Sequence, residues 1–431
     1  MGNILEMLGA GSKNLGFSDR TLEEEDIAFV QLCGLYHWSK AYTIFYLNIF
    51  IWGIPSILAM IIYAGMEGDS AVVFETSHFF LIIANMFVQS SVHLFHHKTV
   101  NQLYRAIDSG FFSYDQCIFD HETLGQIEKL RMEKKKRKKM YGVAFKFLAS
   151  GAAVGLLLKP AVVVLLLGKG DREVDGYGGF MYNSPIRNWV PYAGYWVPYV
   201  FGMIHSQVMV IGGAITAMAS VSSFVRFSEE FCHQLDIVSL GLENVIRRAK
   251  FLYELRHGLA YSENDSWEPR MKFQKCLRDC LNTTIDHHVL IIDLFAGFKK
   301  MMLIPLFTVV FDGGALMFLS TGLCLSDEST LLKIVVAVFL ATELMYTFIY
   351  CGYGELLTQK FQRIGKSMYF DDWLDHKKIL TPYFTIIRAY TFRPKKLSAG
   401  FASPSHATFG DVLRTAYSFL NLLLNRGRGK S

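Results

Sequence analysis

Cysteine is scarce in this chain, and the short sequence signatures of enzymes are missing. The seven cysteines are scattered without CxxC spacing, so neither a zinc site nor a disulfide framework is indicated. The sequence has no HExxH motif, no nucleophile elbow and no glycine-rich phosphate loop. We therefore expect no enzymatic activity, no catalytic residue, no metal site and no cofactor.

Charged residues are also few. They make up 19% of the chain, against about 25% in a soluble globular protein. Hydrophobic residues make up 52%, and the mean hydropathy is +0.26. This composition predicts a membrane-embedded protein with some water-facing parts. The start of the chain is polar and acidic without an apolar run, so we expect the first span to act as its own insertion signal.

Long apolar segments are abundant, by contrast. Seven of them approach membrane-spanning length, at 42–64, 71–94, 142–167, 192–224, 301–325, 331–353 and 406–425. The sequence therefore predicts an all-α membrane protein with seven transmembrane helices. No internal repeat is visible, which disfavours a transporter built from inverted repeats.

The polar stretches set the domain organisation. Residues 1–41 form an N-terminal segment, and a basic loop at 95–140 interrupts the four-span unit 42–224. The stretches 225–299 and 354–405 combine helical apolar periodicity with Arg, Lys and Glu, which predicts helices that extend beyond the bilayer into an aqueous anchor bundle. The fifth and sixth spans lie between them at 300–353, and 406–431 forms the seventh helix with a short tail.

The orientation follows from six consecutive basic residues at 134–139. Lys and Arg in short loops stay cytoplasmic, so this run predicts a cytoplasmic N-terminus, cytoplasmic anchor helices and an extracellular C-terminus. The run is also a candidate site for anionic lipid or calmodulin. The basic tail and two glycosylation sequons, at Asn264 and Asn282, disagree with this topology. Glycosylation there would reverse the topology, and a seven-helix G-protein-coupled receptor is the alternative interpretation.

The last apolar segment carries a polar stripe. Around the stretch TFGDVLRTAYSFLNLLL at 408–424, the positions Ser418, Asn421 or Leu422, and Asn425 recur at steps of three and four residues. They therefore share one helix face. A helix surrounded by lipid has no reason to align Ser and Asn, whereas a helix that faces a water-filled pore or another helix does. The spacing alone leaves both explanations open.

A series of short motifs follows the sixth span. They are, in order, CGYGEL at 351–356, YxxxW at 369–373, RPKKLSAG at 393–400, TF at 408–409 and AYSFLNLL at 416–423. Their order and spacing resemble the insect odorant receptor family. Gln359 and Lys360 stand where many relatives have Glu and Ser, and the chain ends differently from the co-receptor that the family shares. The chain therefore resembles an odour-tuning subunit.

The resemblance implies a heterotetrameric, ligand-gated, non-selective cation channel in which a tuning subunit assembles with the odorant receptor co-receptor. Each subunit contributes its last helix to one central pore, and cytoplasmic helices make most contacts between subunits. The other expected partners are a volatile odorant, permeating cations and membrane lipid, with no nucleic acid. The expected location is the plasma membrane, specifically the dendritic membrane of olfactory sensory neurons.

The resemblance also places a hydrophobic gate in the last helix. Leu422 matches the family's gate position, and a ring of leucines narrows a pore enough to exclude water. The pore residues expected on this face are Ser418, Asn421, Leu422 and Asn425. The hydroxyl of the serine and the amides of the asparagines can hydrate a cation without binding it tightly. No ring of acidic residues is expected in this helix, which argues against a divalent-selective pore.

An odorant pocket is implied among spans two, three, four and six, near the extracellular side. Because odorants are small and mostly apolar, we expect a dry, aromatic cavity with few polar groups. The candidates are aromatic, small or flexible side chains, each of which is also a candidate for ordinary helix packing: Phe74, His78, Phe79, Ser150, Ala153, Val154, Leu157, Met203, Ile204, Gln207, Ile211, Phe339, Thr342 and Tyr346. A hydrogen bond from His78, Gln207 or Tyr346 would favour an ester, a ketone or an alcohol.

Ionisable residues inside the spans form a last group, because burial of a charge in a membrane is costly and often functional. Glu343 is expected to pair with a buried donor or to line the cavity. Asp312 is followed by Gly313 and a second glycine, which predicts a close approach of helices. Lys159 precedes a proline, and we expect a kink there with the lysine directed outward.

Overall fold

The computed structural model describes residues 48–114, 119–167, 179–181, 184–262, 266–325, 330–369, 373–393 and 395–428. The N-terminal segment 1–41, the start of the first predicted span, Asn264 and the tail 429–431 lie outside these residues.

The described residues are almost entirely helical. A π-helical turn at Ile49–Gly53 leads into α1 (Ile54–Glu67), and the elements that follow in chain order are α2 (Ser70–Phe95), α3 (His97–Asp108), α4 (His121–Leu167), β1 (Phe180–Met181), β2 (Asn188–Trp189), α5 (Trp196–Glu243), α6 (Val245–His257), α7 (Trp267–Leu325), α8 (Thr330–Lys366), α9 (Lys377–Thr391) and α10 (His406–Arg428).

Several helices are much longer than a bilayer requires. The 48 residues of α5 and the 59 residues of α7 correspond to roughly 70 Å and 90 Å, against about 30 Å of hydrocarbon. Among the described residues, five helices are long and apolar enough to cross a membrane: α2, α4, α5, α7 and α8. These observations confirm an all-α membrane protein. The membrane crossing of the shorter α1 and of α10 with its polar stripe stays a prediction, as does the orientation of the termini.

The charged halves of α4, α5, α7 and α8 pack with α3, α6 and α9 at one end of the molecule, here called the polar bundle. The predicted loop 95–140 is largely helical, because it contains α3 and the first part of α4. Part of its basic run makes ion pairs with α5: Arg137 lies 2.9 Å from Glu229, and Lys134 lies 2.9 Å from Glu230. Lys360 on α8 pairs with α5 in the same way. The basic run thus has a structural role in joining α4 to α5.

Aromatic packing connects the polar bundle to the apolar half. On α5, the ring of Phe224 stacks on Tyr350 of α8 at 4.2 Å between centroids, and Phe231 lies 5.3 Å from Phe298 of α7. These side chains belong to the largest buried cluster of the described residues. The three long helices are therefore held together across the boundary between the apolar and polar halves.

Two glycines fix the position of the last helix. A Cβ atom on Gly354 would lie 2.3 Å from the carbonyl oxygen of Pro404, so the segment that precedes α10 packs directly on the backbone of α8. At Gly313, a Cβ atom would lie 3.1 Å from Oγ1 of Thr347 on α8 and 3.7 Å from Cγ1 of Val412 on α10. The predicted close approach of helices at this glycine is confirmed.

Candidate functional site

A cavity lies among α2, α4, α5, α7 and α8 in the apolar half of the molecule. It contains about 930 Å³ of empty space, its mouth included, and its wall is almost entirely apolar. Its lining residues are Phe79, Ile82, Ile83, Asn85, Met86, Phe145, Ala149, Ala152, Ala153, Leu156, Ile186, Met209, Val210, Gly213, Ala214, Ala217, Val309, Gly313, Leu316, Phe339, Thr342, Glu343, Tyr346 and Thr347. The helices implied by the family resemblance all contribute, and α7 and the segment before α5 contribute as well.

Five of the expected pocket residues line this cavity, namely Phe79, Ala153, Phe339, Thr342 and Tyr346. The ring of Phe79 meets that of Phe339 edge-on at 5.7 Å between centroids, which joins α2 to α8. Because aromatic rings present large apolar surfaces with little rotamer freedom, this pair forms a firm wall.

The other expected pocket residues lie elsewhere. Phe74 packs beside Phe318 at 5.8 Å between ring centroids, Leu157 packs against the apolar cluster that forms much of the cavity wall, and Met203 packs in a separate cluster. His78 is buried behind the cavity wall. The remaining residues lie on exposed helix faces: Ser150, Val154, Ile204, Gln207 and Ile211.

A rotation of the helix explains the difference on α5. The expected face followed Met203, Ile204, Gln207 and Ile211, whereas the buried face carries Gly202, His205, Ser206, Met209 and Val210. Each residue turns the helix by about 100°, so a shift of one or two positions exchanges the inner face for the outer one. Lipid is as apolar as the protein interior, and bulky apolar residues therefore do not mark the inner face of a membrane helix. Small and polar residues mark it instead.

The same signal would have found some of the lining residues that the sequence prediction missed. Gly213, Ala214 and Ala217 continue the small-residue face of α5 into the cavity, and Ala149 and Ala152 do so on α4. Small residues let helices approach and leave space between them. The contribution of α7 to the cavity has no comparable signal in the sequence.

A short loop contributes to the cavity wall. β1 and β2 pair in antiparallel register, and the loop between them carries Ile186 into the cavity lining. The hydroxyl of Ser206 on α5 accepts a hydrogen bond from the Ile186 amide at 3.0 Å. Gly202 makes room for the loop, because a Cβ atom there would lie 2.6 Å from Sδ of Met181.

A buried group of charges holds the same loop to α2 and α4. The amine of Lys159 donates a hydrogen bond to Glu75, and Nε of Arg187, next to Ile186, lies 3.2 Å from Oε2 of that glutamate. Lys159 is only 7% exposed. The expectation that it points outward was wrong, because a carboxylate on α2 compensates the cost of burying its charge. The helix also continues through Pro160.

A second buried polar cluster lies against the cavity wall. On α8, Glu343 lines the cavity and accepts a hydrogen bond from the Ser320 hydroxyl at 2.9 Å. Its other carboxylate oxygen is bonded to Nε2 of His78 on α2. Glu343 was expected either to pair with a buried donor or to line the cavity, and it does both. His78 is engaged with protein groups instead of pointing into the cavity.

The last helix presents its polar stripe away from its own subunit. Val412 and Ala416 are buried against the rest of the chain, whereas Ser418 and Leu422 are exposed about a third of a turn around the helix. Asn421 is half-buried, and the side chain of Asn425 lies outside the described part of the chain. Leu422 is 60% exposed in the isolated subunit and is therefore free to contact lipid or another subunit.

One charged pair was missed on this helix. Asp411 lies two turns before Ser418 on the same face, and its carboxylate accepts a hydrogen bond from Arg414 at 2.9 Å. Because Arg414 compensates its charge, this single acid does not change the expectation that no ring of acids lines the pore, which stays a prediction. The pair gives this end of the stripe little net charge.

Comparisons with known proteins agree with the fold. The model of the 7tm odorant receptor family matches residues 69–417. The structure of the insect olfactory receptor OR5 from Machilis hrabei in complex with eugenol is similar, with a TM-score of 0.73, 11% sequence identity, and coverage of 94% of this chain and 98% of that chain. A second structure of that receptor gives a TM-score of 0.73 and 12% identity with the same coverage. No protein of curated function matches the sequence significantly. Because the family match extends over most of its length, this chain belongs to the 7tm odorant receptor family.

Proposed function

We propose that this chain is the odorant-binding subunit of a heterotetrameric, ligand-gated, non-selective cation channel that it forms with the odorant receptor co-receptor. The observation that carries the proposal is the apolar cavity among α2, α4, α5, α7 and α8. Its wall of aromatic, aliphatic and small side chains with few polar groups is typical of small-molecule sites. A volatile, mostly apolar molecule of the membrane phase or the extracellular medium fits such a site.

The cavity lies one layer of side chains from the last helix. Gly313 and Thr347 line the cavity, and both lie at the place where α7 and α8 meet α10. A Cβ atom on Gly313 would lie only 3.7 Å from Val412 of α10. A ligand that moves α7 or α8 therefore displaces α10 directly, and this short path supports coupling between binding and gating.

The gate in this proposal is Leu422. The leucine and Ser418 lie on the face of α10 that is directed away from the subunit, where four copies would meet around a central axis. A ring of four leucines dewets a narrow pore and blocks ions without a charged barrier. Rotation or outward movement of α10 would replace leucine by serine or asparagine at the narrowest point and let hydrated cations pass.

The structure also offers support for a cytoplasmic polar bundle. The sequon at Asn282 lies within α7 and not in the surface loop that glycosylation requires. Its third residue, Thr284, is buried and accepts a hydrogen bond from Arg248 at 2.9 Å. Asn282 itself is exposed, but a helical sequon whose threonine is buried favours the proposed topology over the reversed topology of a G-protein-coupled receptor. We place the protein in the plasma membrane, in the dendrites of olfactory sensory neurons.

Whole-cell current recordings test this proposal. The chain is expressed alone and with the co-receptor in non-neuronal cells with G-protein signalling blocked, and a panel of volatile compounds is applied. A fast cation current that requires both chains is the expected result. Glycosylation at Asn264 or Asn282, or a response that disappears when G proteins are blocked, would overturn it in favour of the reversed-topology receptor.

A pair of leucine variants then tests the gate. Leu422→Ala should widen the constriction and produce a standing current without ligand. Leu413→Ala is the matched control, because Leu413 is also exposed but lies about 180° around the helix from Leu422. An equal standing current in both variants would locate the gate elsewhere.

A further inference from the structure

The cluster of Glu343, His78 and Ser320 joins the cavity to three helices. Glu343 lines the cavity, whereas His78 and Ser320 lie behind it and bond to its carboxylate from α2 and α7. All three residues are at most 7% exposed. His78 and Glu343 are 265 residues apart in the chain, so only the tertiary fold brings the cluster together.

The carboxylate of Glu343 retains capacity to accept further hydrogen bonds. An ionised carboxylate has about four acceptor positions and no donor. Ser320 uses a position on one oxygen, and His78 uses a position on the other. Both partners approach from behind the wall, so a group inside the cavity is in a position to donate to the oxygens that remain.

Other polar groups of the cavity are weaker candidates for an acceptor. The hydroxyl of Thr342 donates to the carbonyl of Val338 in its own helix at 2.8 Å. The side-chain oxygen of Asn85 already accepts from Gln89 and Thr308, both at 3.4 Å. In this otherwise apolar wall, the carboxylate of Glu343 is the strongest candidate acceptor, because each of its two oxygen atoms is bonded to a single protein group and has a further acceptor position.

We propose that this receptor selects ligands that carry a hydrogen-bond donor on an apolar skeleton, namely alcohols and phenols, through donation to Glu343. The inference rests on the proposed function in taking this cavity as the ligand site. Ketones and esters carry acceptors only, and their oxygen atoms are repelled by the carboxylate. A desolvated site that is built to bond a hydroxyl rejects analogues that lack it, because the buried polar group is then left unpaired.

The experiment compares 2-heptanol with 2-heptanone, which share one carbon skeleton and differ at a single carbon. Binding is measured on the purified full chain in lipid nanodiscs, from the concentration dependence of the thermal stabilisation that each compound produces. Wild type should bind the alcohol roughly 10- to 100-fold more tightly than the ketone, as expected for one hydrogen bond to a charged group. Equal affinities, or failure of the alcohol to bind, would overturn the inference without any variant.

Three variants locate the contact. Glu343→Gln replaces the carboxylate by a neutral amide that also donates, so it should abolish the preference for the alcohol and improve binding of the ketone. Thr342→Val is the matched control in the cavity wall, and it should keep the preference, because the threonine hydroxyl is already bonded within its helix. A preference that survives in Glu343→Gln but is lost in Tyr346→Phe would assign the contact to the tyrosine and overturn the role of Glu343.

The binding assay separates this inference from the proposed function. A preference for 2-heptanol in nanodiscs without any current from cells that express both chains would support the ligand class and overturn the channel. A ligand-gated current together with equal binding of the two compounds would support the channel and overturn the ligand class.

Discussion

Removal of Glu75 should destabilise this protein far more than removal of Lys159, although the two residues form one ion pair. The carboxylate of Glu75 accepts a hydrogen bond from Lys159 and also lies 3.2 Å from Nε of Arg187. The cluster thus holds two cations and one anion on α2, α4 and the loop before α5. Glu75 is 1% exposed, so water contributes little to the balance of these charges.

The expected magnitudes follow from the charges that each variant leaves behind. Glu75→Gln leaves the buried Lys159 and the partly buried Arg187 without their carboxylate and repelling each other, and breaking a buried pair in this way costs about 3–5 kcal/mol. Lys159→Met leaves the pair of Glu75 with Arg187, and methionine fills similar space, so the cost should be on the order of 1 kcal/mol or less. A large chain loses about 2 °C of melting temperature per kcal/mol. The unfolding midpoint should therefore fall by roughly 6–10 °C in Glu75→Gln and by no more than about 2 °C in Lys159→Met.

Thermal unfolding of the purified variants in nanodiscs, followed by tryptophan fluorescence, measures both shifts under one condition. Lys136→Met is the matched control, because Lys136 is an exposed lysine on the same helix. The control should leave the midpoint unchanged. A loss in Lys159→Met that equals or exceeds the loss in Glu75→Gln would refute the reasoning, since the number of unpaired buried charges would then not determine stability.

Three further results are expected. Gly354→Ala should misplace the last helix and lower the yield of folded protein, because its Cβ atom would meet the carbonyl of Pro404 at 2.3 Å. Size-exclusion profiles measure the yield, and Gly352→Ala on the same helix is the control, because its Cβ atom would have no neighbour closer than 3.8 Å. His287 in the polar bundle has its pKa lowered from 6.5 to about 3, chiefly by burial, so the unfolded chain binds more protons between these values. His287 alone should contribute a loss of about 2 kcal/mol of stability from pH 6.5 to pH 5, and in His287→Asn the free energy of unfolding should depend on pH with a correspondingly shallower slope. Ser418→Val should raise the barrier of the proposed pore and reduce current without changing ligand affinity, as dose–response curves would show.

The sequence identified much of the helical framework. Apolar segments, the basic run and the amphipathic stretches predicted long helices that continue into a polar bundle, and α5, α7 and α8 have this form. The motif CGYGEL at 351–356 also has a clear structural counterpart, since Gly354 packs against the segment before α10 and the Tyr353 hydroxyl donates to Glu229 at 2.7 Å. Such features are readable because they depend on composition and local spacing.

The cavity was less readable from sequence. The expected residues on α8 line it, where Phe339, Thr342 and Tyr346 are joined by Glu343. On α5 the expected face was the wrong one, because Ile204 and Ile211 are exposed while Ser206 and Met209 are buried. Hydrophobicity identifies the inside of a soluble protein, but it loses this meaning when the surroundings are lipid.

Sequence alone determined that this chain is a helical membrane protein, because the cost of burying charge and unpaired backbone in hydrocarbon restricts both composition and secondary structure. The tertiary structure decided which side chains meet. It placed Lys159 beside Glu75 at a separation of 84 residues and His78 beside Glu343 at a separation of 265. Helix packing selects partners that are so distant in the chain. Packing in a membrane is driven by close contact and hydrogen bonding between helices, and these leave no periodic signal in a single sequence.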